Sequence, residues 1–173
     1  MCEAGNIIFR KASEQDVPAI MKIIDYARNQ MLEAGKQQWD SSYPTQKHIC
    51  DDVTQGYGYV LCADGQVAAY GAVIFGEEPA YQHIKNGAWL SKLPYVVVHR
   101  LAVSSEYRRQ GLAIKFMTAV EELMSAHGVH SFKVDTNFDN QSMLSVLDKL
   151  QFQYCGEIEY EGGTRMAYEK LIP

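Results

Sequence analysis

Apolar and polar positions alternate along this chain in two rhythms, and the change from one to the other marks the elements. Asn6 to Arg10 is a short β-type run. From Val17 the spacing changes: Ile20, Met21, Ile24, Ala27 and Met31 recur every three or four positions, which predicts an amphipathic helix running to about Gly35. Ser13 with Asp16 three residues on predicts its N-cap, in the manner of a capping box. WDSSYPT breaks the pattern, and a second, shorter helix fits Thr45 to about Thr54. Two strand-like runs then flank Asp64-Gly65, a pair that tolerates positive φ and so predicts a hairpin. Glu77 to Lys92, with Pro79, Tyr81, Gly87 and Trp89, follows as a long excursion, and a loop of that length in a small domain is often functional.

Pro94 to Val103 reads as a buried central strand. Leu112, Phe116, Ala119, Val120 and Leu123 trace a helix ending near Gly128, and Ser131 to Asp135 is a strand. Met143, Val146, Leu147 and Leu150 lie on one helix face opened by Asp139-Asn140. FQYCGEIEY and RMAYEKL, joined through Glu161 to Thr164, form a final hairpin. The order β-α-α-β-β-β-α-β-α-β-β, with hairpins at both ends, points to one α+β (mixed α/β) domain over residues 1–173 rather than a doubly wound parallel sheet.

Charge and composition narrow the function. A net charge of −5 lacks the basic face that nucleic-acid binding needs. No apolar run reaches the roughly 20 residues of a membrane helix, and the N-terminus does not read as a signal peptide, so a cytoplasmic protein is expected. Cys2, Cys50, Cys62 and Cys155 are scattered, form no CxxC pair, and read as free thiols. The histidines show no HExxH spacing, and His127 and His130 straddle a helix end and a strand start, so no metal is expected.

One stretch carries chemistry. VVVHRLAVSSEYRRQGLAIKFM, Val96 to Met117, runs from a β-branched strand through a polar segment into a helix. A helix start presents unpaired N–H groups and partial positive charge to an anion, and Gly111 allows a phosphate close to the backbone. Arg108 and Arg109 are either phosphate partners or solvated surface residues. The spacing is not GxGxxG, and Gly71 to Gly76 is followed by Glu77 where a P-loop has lysine.

Arg108-Arg109-Gln110-Gly111-Leu112-Ala113 resembles the [Q/R]-x-x-G-x-[G/A] signature of the GNAT superfamily of acyl-CoA-dependent N-acetyltransferases. The wider run HRLAVSSEYRRQGLA resembles that family's strand, linker, pyrophosphate loop and helix, and DTNFDNQSMLSVLDKLQF resembles its second CoA-contacting segment. The resemblance implies a GNAT fold, with a central mixed, mostly antiparallel sheet flanked by helices. It implies that backbone groups of Leu101 and Val103 bind the pantetheine arm of acetyl-CoA, that the loop from Arg108 through Gln110, Gly111 and Leu112 to Ala113 holds the pyrophosphate, and that Asn140 meets the cofactor. Asn140 also suits the N-cap of its helix, and the two roles are compatible.

Two positions depart from the family pattern. Relatives often carry a general-acid tyrosine seven residues after the asparagine, where this chain has Leu147, and a glycine before the terminal phenylalanine, where it has Gln151. Four residues are candidates for the base that takes the amine proton. His99 titrates near neutrality but is equally placed as a core histidine sharing, by alternation, the face of Leu101 and Val103. Glu77 and Glu78 open the long loop, and Asp135 ends a strand where it either works, caps or pairs with Lys133. Trp39, Tyr43, Tyr81 and Trp89 either line an acceptor pocket or close the core. The expected activity is acetyl transfer from acetyl-CoA to a primary amine, on a small molecule or a protein, by direct attack in a ternary complex. The alternative is a non-catalytic acyl-CoA-binding module. Oligomeric state stays open, a homodimer among the options.

Overall fold

The capping box forms where the sequence places it. The Ser13 N–H donates to Asp16 Oδ2 at 2.7 Å, and Arg10 closes on the same carboxylate through both terminal nitrogens at 2.7 and 2.9 Å. A short 3-10 turn, Glu14–Asp16, leads into α1, Val17–Glu33. Pro18 sits in its first turn, where a missing N–H costs nothing.

These contacts hold the Asp16 carboxyl down at about 2, chiefly through Arg10. A depressed carboxylate stabilises the fold above its unfolded pKa of 3.8 and loses that contribution as pH falls through 2. The expected loss is about 1 kcal/mol between pH 4 and 2, since Arg10 is partly in solvent. Asp16→Asn should remove that part of the acid limb from a urea-unfolding series across this pH range.

The computed structural model describes residues 5–36 and 38–173. Cys2 lies outside them. The remaining helices are α2, Gln46–Thr54, α3, Leu112–Ala126, and α4, Gln141–Lys149. The strands are β1 Ile7–Lys11, β2 Gly58–Ala63, β3 Gln66–Phe75, β4 Tyr95–Val103, β5 Ser131–Thr136, β6 Gln153–Tyr160 and β7 Gly163–Leu171. They form a seven-stranded, mostly antiparallel sheet in the order β1-β2-β3-β4-β5-β7-β6, the mixed α+β architecture expected. Further 3-10 turns occupy Pro79–His83 in the long excursion and Ser105–Tyr107 after β4.

The chain divides into two compact units, Met1–Val73 with His99–Ala119 and Ile74–Val98 with Val120–Pro173. In the first, β1-β2-β3 is an antiparallel meander. Its β2–β3 turn is the expected Asp64-Gly65 pair, both at positive φ (50° and 80°), which matches the strand twist. The Ser104 N–H donates to Ala68 O at 2.8 Å, so the end of β4 lies beside β3. The α1 and α2 stripes pack as one core: Ile20, Ile24 and Ile49 are fully buried against Val60, Tyr70 and Ala102.

In the second unit, β4 and β5 pair in parallel, Tyr95 opposite Ser131 and Val97 opposite Lys133, and β7 lies antiparallel between β5 and β6. The long excursion is tied down rather than loose. Buried Glu169 accepts from the Leu90 N–H at 2.8 Å and from the hydroxyls of Ser91 and Ser131 at 2.7 and 2.9 Å. Lys85 pairs with Glu157 across the backbone and with Glu159 by side chain.

Candidate functional site

The first unit holds the strand, loop and helix that the motif predicts. β4 carries an irregularity that its β-branched sequence conceals: Arg100 has φ 58°, a left-handed conformation that costs a non-glycine residue about 1–3 kcal/mol. A buried network holds it there. Arg100 Nε donates to Asp52 Oδ2 at 2.8 Å, a terminal nitrogen reaches Oδ1, and the other donates to the Tyr43 hydroxyl at 3.0 Å. The Tyr70 hydroxyl donates to the same Asp52 carboxylate. Burial and the adjacent carboxylate push the Tyr70 phenol well up, so it stays a donor.

The bend also interrupts the period-two alternation that would put His99 on one face with Leu101 and Val103. Ala102 belongs to the core under α1 and α2, whereas the Leu101 side chain approaches Gly71 near Phe116 of α3. His99 is half-buried, and its face no longer follows from sequence parity.

The loop after β4 turns twice through positive φ, at Arg109 (62°) and Gly111 (70°), before α3 begins at Leu112. The loop leads into the first turn of α3, whose N–H groups lack partners within the helix and attract anions. A Cβ built on Gly111 meets no protein atom within 4 Å, so the space over the loop is open to a ligand. Gln110 is exposed and Ala113 half-buried in the first turn of α3, where its small side chain leaves the loop uncrowded. Arg108 is turned aside: its guanidinium donates to the Tyr26 hydroxyl at 3.0 Å and lies 6.0 Å from that ring. Leu112 is buried, anchoring the helix that the loop opens.

The second unit holds the other candidates. Asn140 caps α4, its side-chain oxygen accepting from the Met143 N–H at 3.2 Å. Leu147, at the position of the family tyrosine, is fully buried and serves the core. Gln151 has φ 66° just after α4, which explains the glycine of relatives: the Phe152 N–H reaches back to Leu147 O at 2.9 Å only through a left-handed residue. Gln151→Gly should therefore raise stability by about 0.5–1 kcal/mol, read as a higher urea midpoint with an unchanged slope.

Glu77 accepts from Gln82 Nε2 at 3.2 Å, and Glu78 caps the turn Pro79–His83 while its N–H donates to the Tyr95 hydroxyl at 3.0 Å. Among the described residues, Asp135 is held by two phenols rather than by Lys133. Its Oδ2 accepts from the hydroxyls of Tyr81 at 2.7 Å and Tyr160 at 2.8 Å. The Lys133 ammonium instead lies between the rings of Tyr95 (4.0 Å) and Trp89 (4.4 Å), and burial lowers its pKa. Of the four aromatic residues weighed for a pocket, Trp39 and Tyr81 are core (4% and 2% exposed), Trp89 packs on Lys133 and donates to Tyr81 O, and Tyr43 braces Arg100.

Cys50, Cys62 and Cys155 are free thiols. Among the described residues there is no group of three or more histidine, cysteine, aspartate or glutamate side chains that could hold a metal ion, and no helix is long and apolar enough to cross a membrane.

Comparison with known proteins shows the family and the fold. The model of the Acetyltransferase (GNAT) family matches residues 20–152. The chain is 36% identical to an acetyltransferase of the GNAT family from Streptococcus agalactiae 2603, covering 96% of each chain with a TM-score of 0.88. It shares the fold of the ribosomal-protein-S18-alanine N-acetyltransferase from Escherichia coli (15% identity, 96% and 94% covered, TM-score 0.65). It also shares the fold of a NatC complex bound to Gag peptide and CoA (14% identity, 98% and 100% covered, TM-score 0.69). No curated protein matches the chain by sequence.

Proposed function

The chain belongs to the GNAT acetyltransferase family and is an acyltransferase, and from that premise we propose that it moves an acetyl group from acetyl-CoA to a primary amine by direct attack in a ternary complex. The loop carries this reading: it turns through positive φ at Arg109 and Gly111 just before α3, whose first-turn N–H groups attract an anion, and a Cβ on Gly111 would meet open space. Backbone N–H groups from Arg109 to Ala113 hold that diphosphate, with Arg109 adding charge, and the backbone of Leu101 and Val103 receives the pantetheine arm. Arg100, at positive φ, directly precedes Leu101 in β4. Acetyl-CoA supplies the thioester. As the nitrogen–carbon bond forms, the carbon–sulfur bond breaks, the amine proton passes to a protein base, and the sulfur takes a proton from solvent.

Direct attack is favoured over an acetyl-cysteine because no cysteine lies in Val96 to Met117 or in DTNFDNQSMLSVLDKLQF, and burial raises the pKa of the Cys62 and Cys155 thiols. Free thiols also suit a reducing cytoplasm. His99, Glu77, Glu78 and Asp135 are the groups from which the base is drawn. No tyrosine replaces Leu147 as general acid in this scheme, because CoA thiolate leaves tolerably without one.

An amine panel read by release of CoA thiol, with mass spectrometry of the product, tests the activity. At least one primary amine should gain an acetyl group in step with thiol release. Thiol release that is independent of amine would show hydrolysis and overturn the transfer.

A further inference from the structure

Two helices of the first unit, α1 and α2, are entered through capping boxes of different chemistry. Before α1 the side chain that reaches back is Asp16, a carboxylate that stays an acceptor down to acid pH. At α2 it is His48, where a capping box usually carries Glu or Gln. The Thr45 N–H donates to His48 Nδ1 at 2.9 Å, and the Thr45 hydroxyl lies 2.9 Å from the same nitrogen. A backbone N–H can only donate, so Nδ1 holds a lone pair and the neutral ring carries its proton on Nε2. Nδ1 is therefore the one ring atom open to a second proton, and taking that proton ends the cap. His48 is half-buried, so water reaches it.

The surroundings set the sign of the effect. The cap sits at the N-terminus of α2, where positive charge is disfavoured. The Tyr43 ring makes a T-shaped contact with His48 at 5.0 Å, and the Arg100 guanidinium lies 6.0 Å from the same ring, so protonation would set two cations on one phenol. The carboxylates that could offset that charge are engaged. On α2, Asp51 pairs with Lys47 at 2.8 Å, and Asp52 holds Arg100 and Tyr70. Beside Tyr43, Asp40 accepts from Ser42, while Arg28 of α1 pairs with Asp25 and donates to Pro44 O. Asp52 belongs to α2 and is the carboxylate that secures Arg100 at positive φ in β4, so the cap stands on the helix that braces that strand.

We propose that His48 is a proton-sensitive switch on α2: neutral, it closes the helix and braces Tyr43 against Arg100, and protonated, it releases both. The unfolded chain takes the proton without losing a cap, so the contribution is present at alkaline pH. It is lost as pH falls through the range in which imidazoles protonate. The switch stands independently of the acetyl-transfer reading, whereas its consequence for acetyl-CoA, through Arg100 and Leu101, rests on that reading.

His48→Gln supplies the test, because Gln accepts from the Thr45 N–H at any pH. Thermal melts at about pH 8 and about pH 5.5 compare it with wild type. Between the two, wild type should lose about 2–4 °C more than His48→Gln, the size of one helix cap in a chain of this length. Over the same interval acetyl-CoA affinity should fall about two- to fivefold more in wild type than in the variant. Equal losses in the melts would overturn the switch. A difference in the melts with equal losses of affinity would overturn the link to Arg100 and leave the cap. No acetyl-CoA binding at either pH would overturn the cofactor reading, with the melts still deciding the cap. A nitrogen NMR spectrum of the wild-type imidazoles checks the premise without any variant. His48 with its proton on Nδ1 at about pH 8 would overturn the proposal outright.

Discussion

Asp52→Ala should destabilise the protein by about 3–5 kcal/mol, a fall in Tm on the order of 10 °C for a chain of this size. The size of the effect comes from what is left behind. Asp52 and Arg100 have side chains only 6% and 13% exposed, so removing the carboxylate strands a guanidinium where water cannot fully replace it. The Tyr70 hydroxyl loses its acceptor in the same core. Arg100 also gives up the contacts that offset its φ of 58°, and the strand is then free to relax toward regular geometry. Two readouts follow from one change: lower Tm in a thermal melt, and a higher KM for acetyl-CoA because the backbone at Leu101 is no longer held. Asp52→Asn keeps the volume and removes the charge. If it proves as stable as wild type, the ion pair is not what holds the bend.

Gly111→Val should weaken acetyl-CoA binding by about 30- to 100-fold with little loss of stability from clashes. A Cβ at this position has no protein atom within 4 Å. What it disturbs is the backbone: φ is 70°, where a β-branched residue is a genuine outlier, and the loop must re-form with its N–H groups turned elsewhere. Losing charge-assisted hydrogen bonds worth about 2–2.7 kcal/mol gives the stated range. Calorimetric titration with acetyl-CoA measures it. Wild-type affinity in Gly111→Val would show that the loop does not hold the cofactor.

Most of the fold was legible because its signals are local. The Ser13–Asp16 box, the Asp64-Gly65 turn and the apolar stripes of α1 and α4 each lie within a few residues, and the structure forms them there. The strand, loop and helix around Gly111 were legible for the same reason. The features that escaped are made by partners distant in sequence. VVVHRLAV reads as a regular strand, and nothing local marks Arg100 for positive φ; the carboxylate that secures it lies 48 residues earlier. Asp135 read as a candidate base, a cap or a partner of Lys133, and its phenol partners escaped because they stand 54 and 25 residues away. Trp39 and Tyr81 were open between pocket and core because irregular segments carry no periodicity, and both proved to be core. Gln151 was visible as a departure from the family glycine, but its meaning appears only with the left-handed turn after α4.

Isothermal titration of the full chain with acetyl-CoA, beside ATP and NADH, tests most directly whether the loop at the mouth of α3 binds acetyl-CoA. One acetyl-CoA per chain at micromolar affinity, competed by CoA and reduced in Arg109→Glu, is the predicted result. No heat with acetyl-CoA at millimolar concentration, or equal binding of NADH, would contradict it.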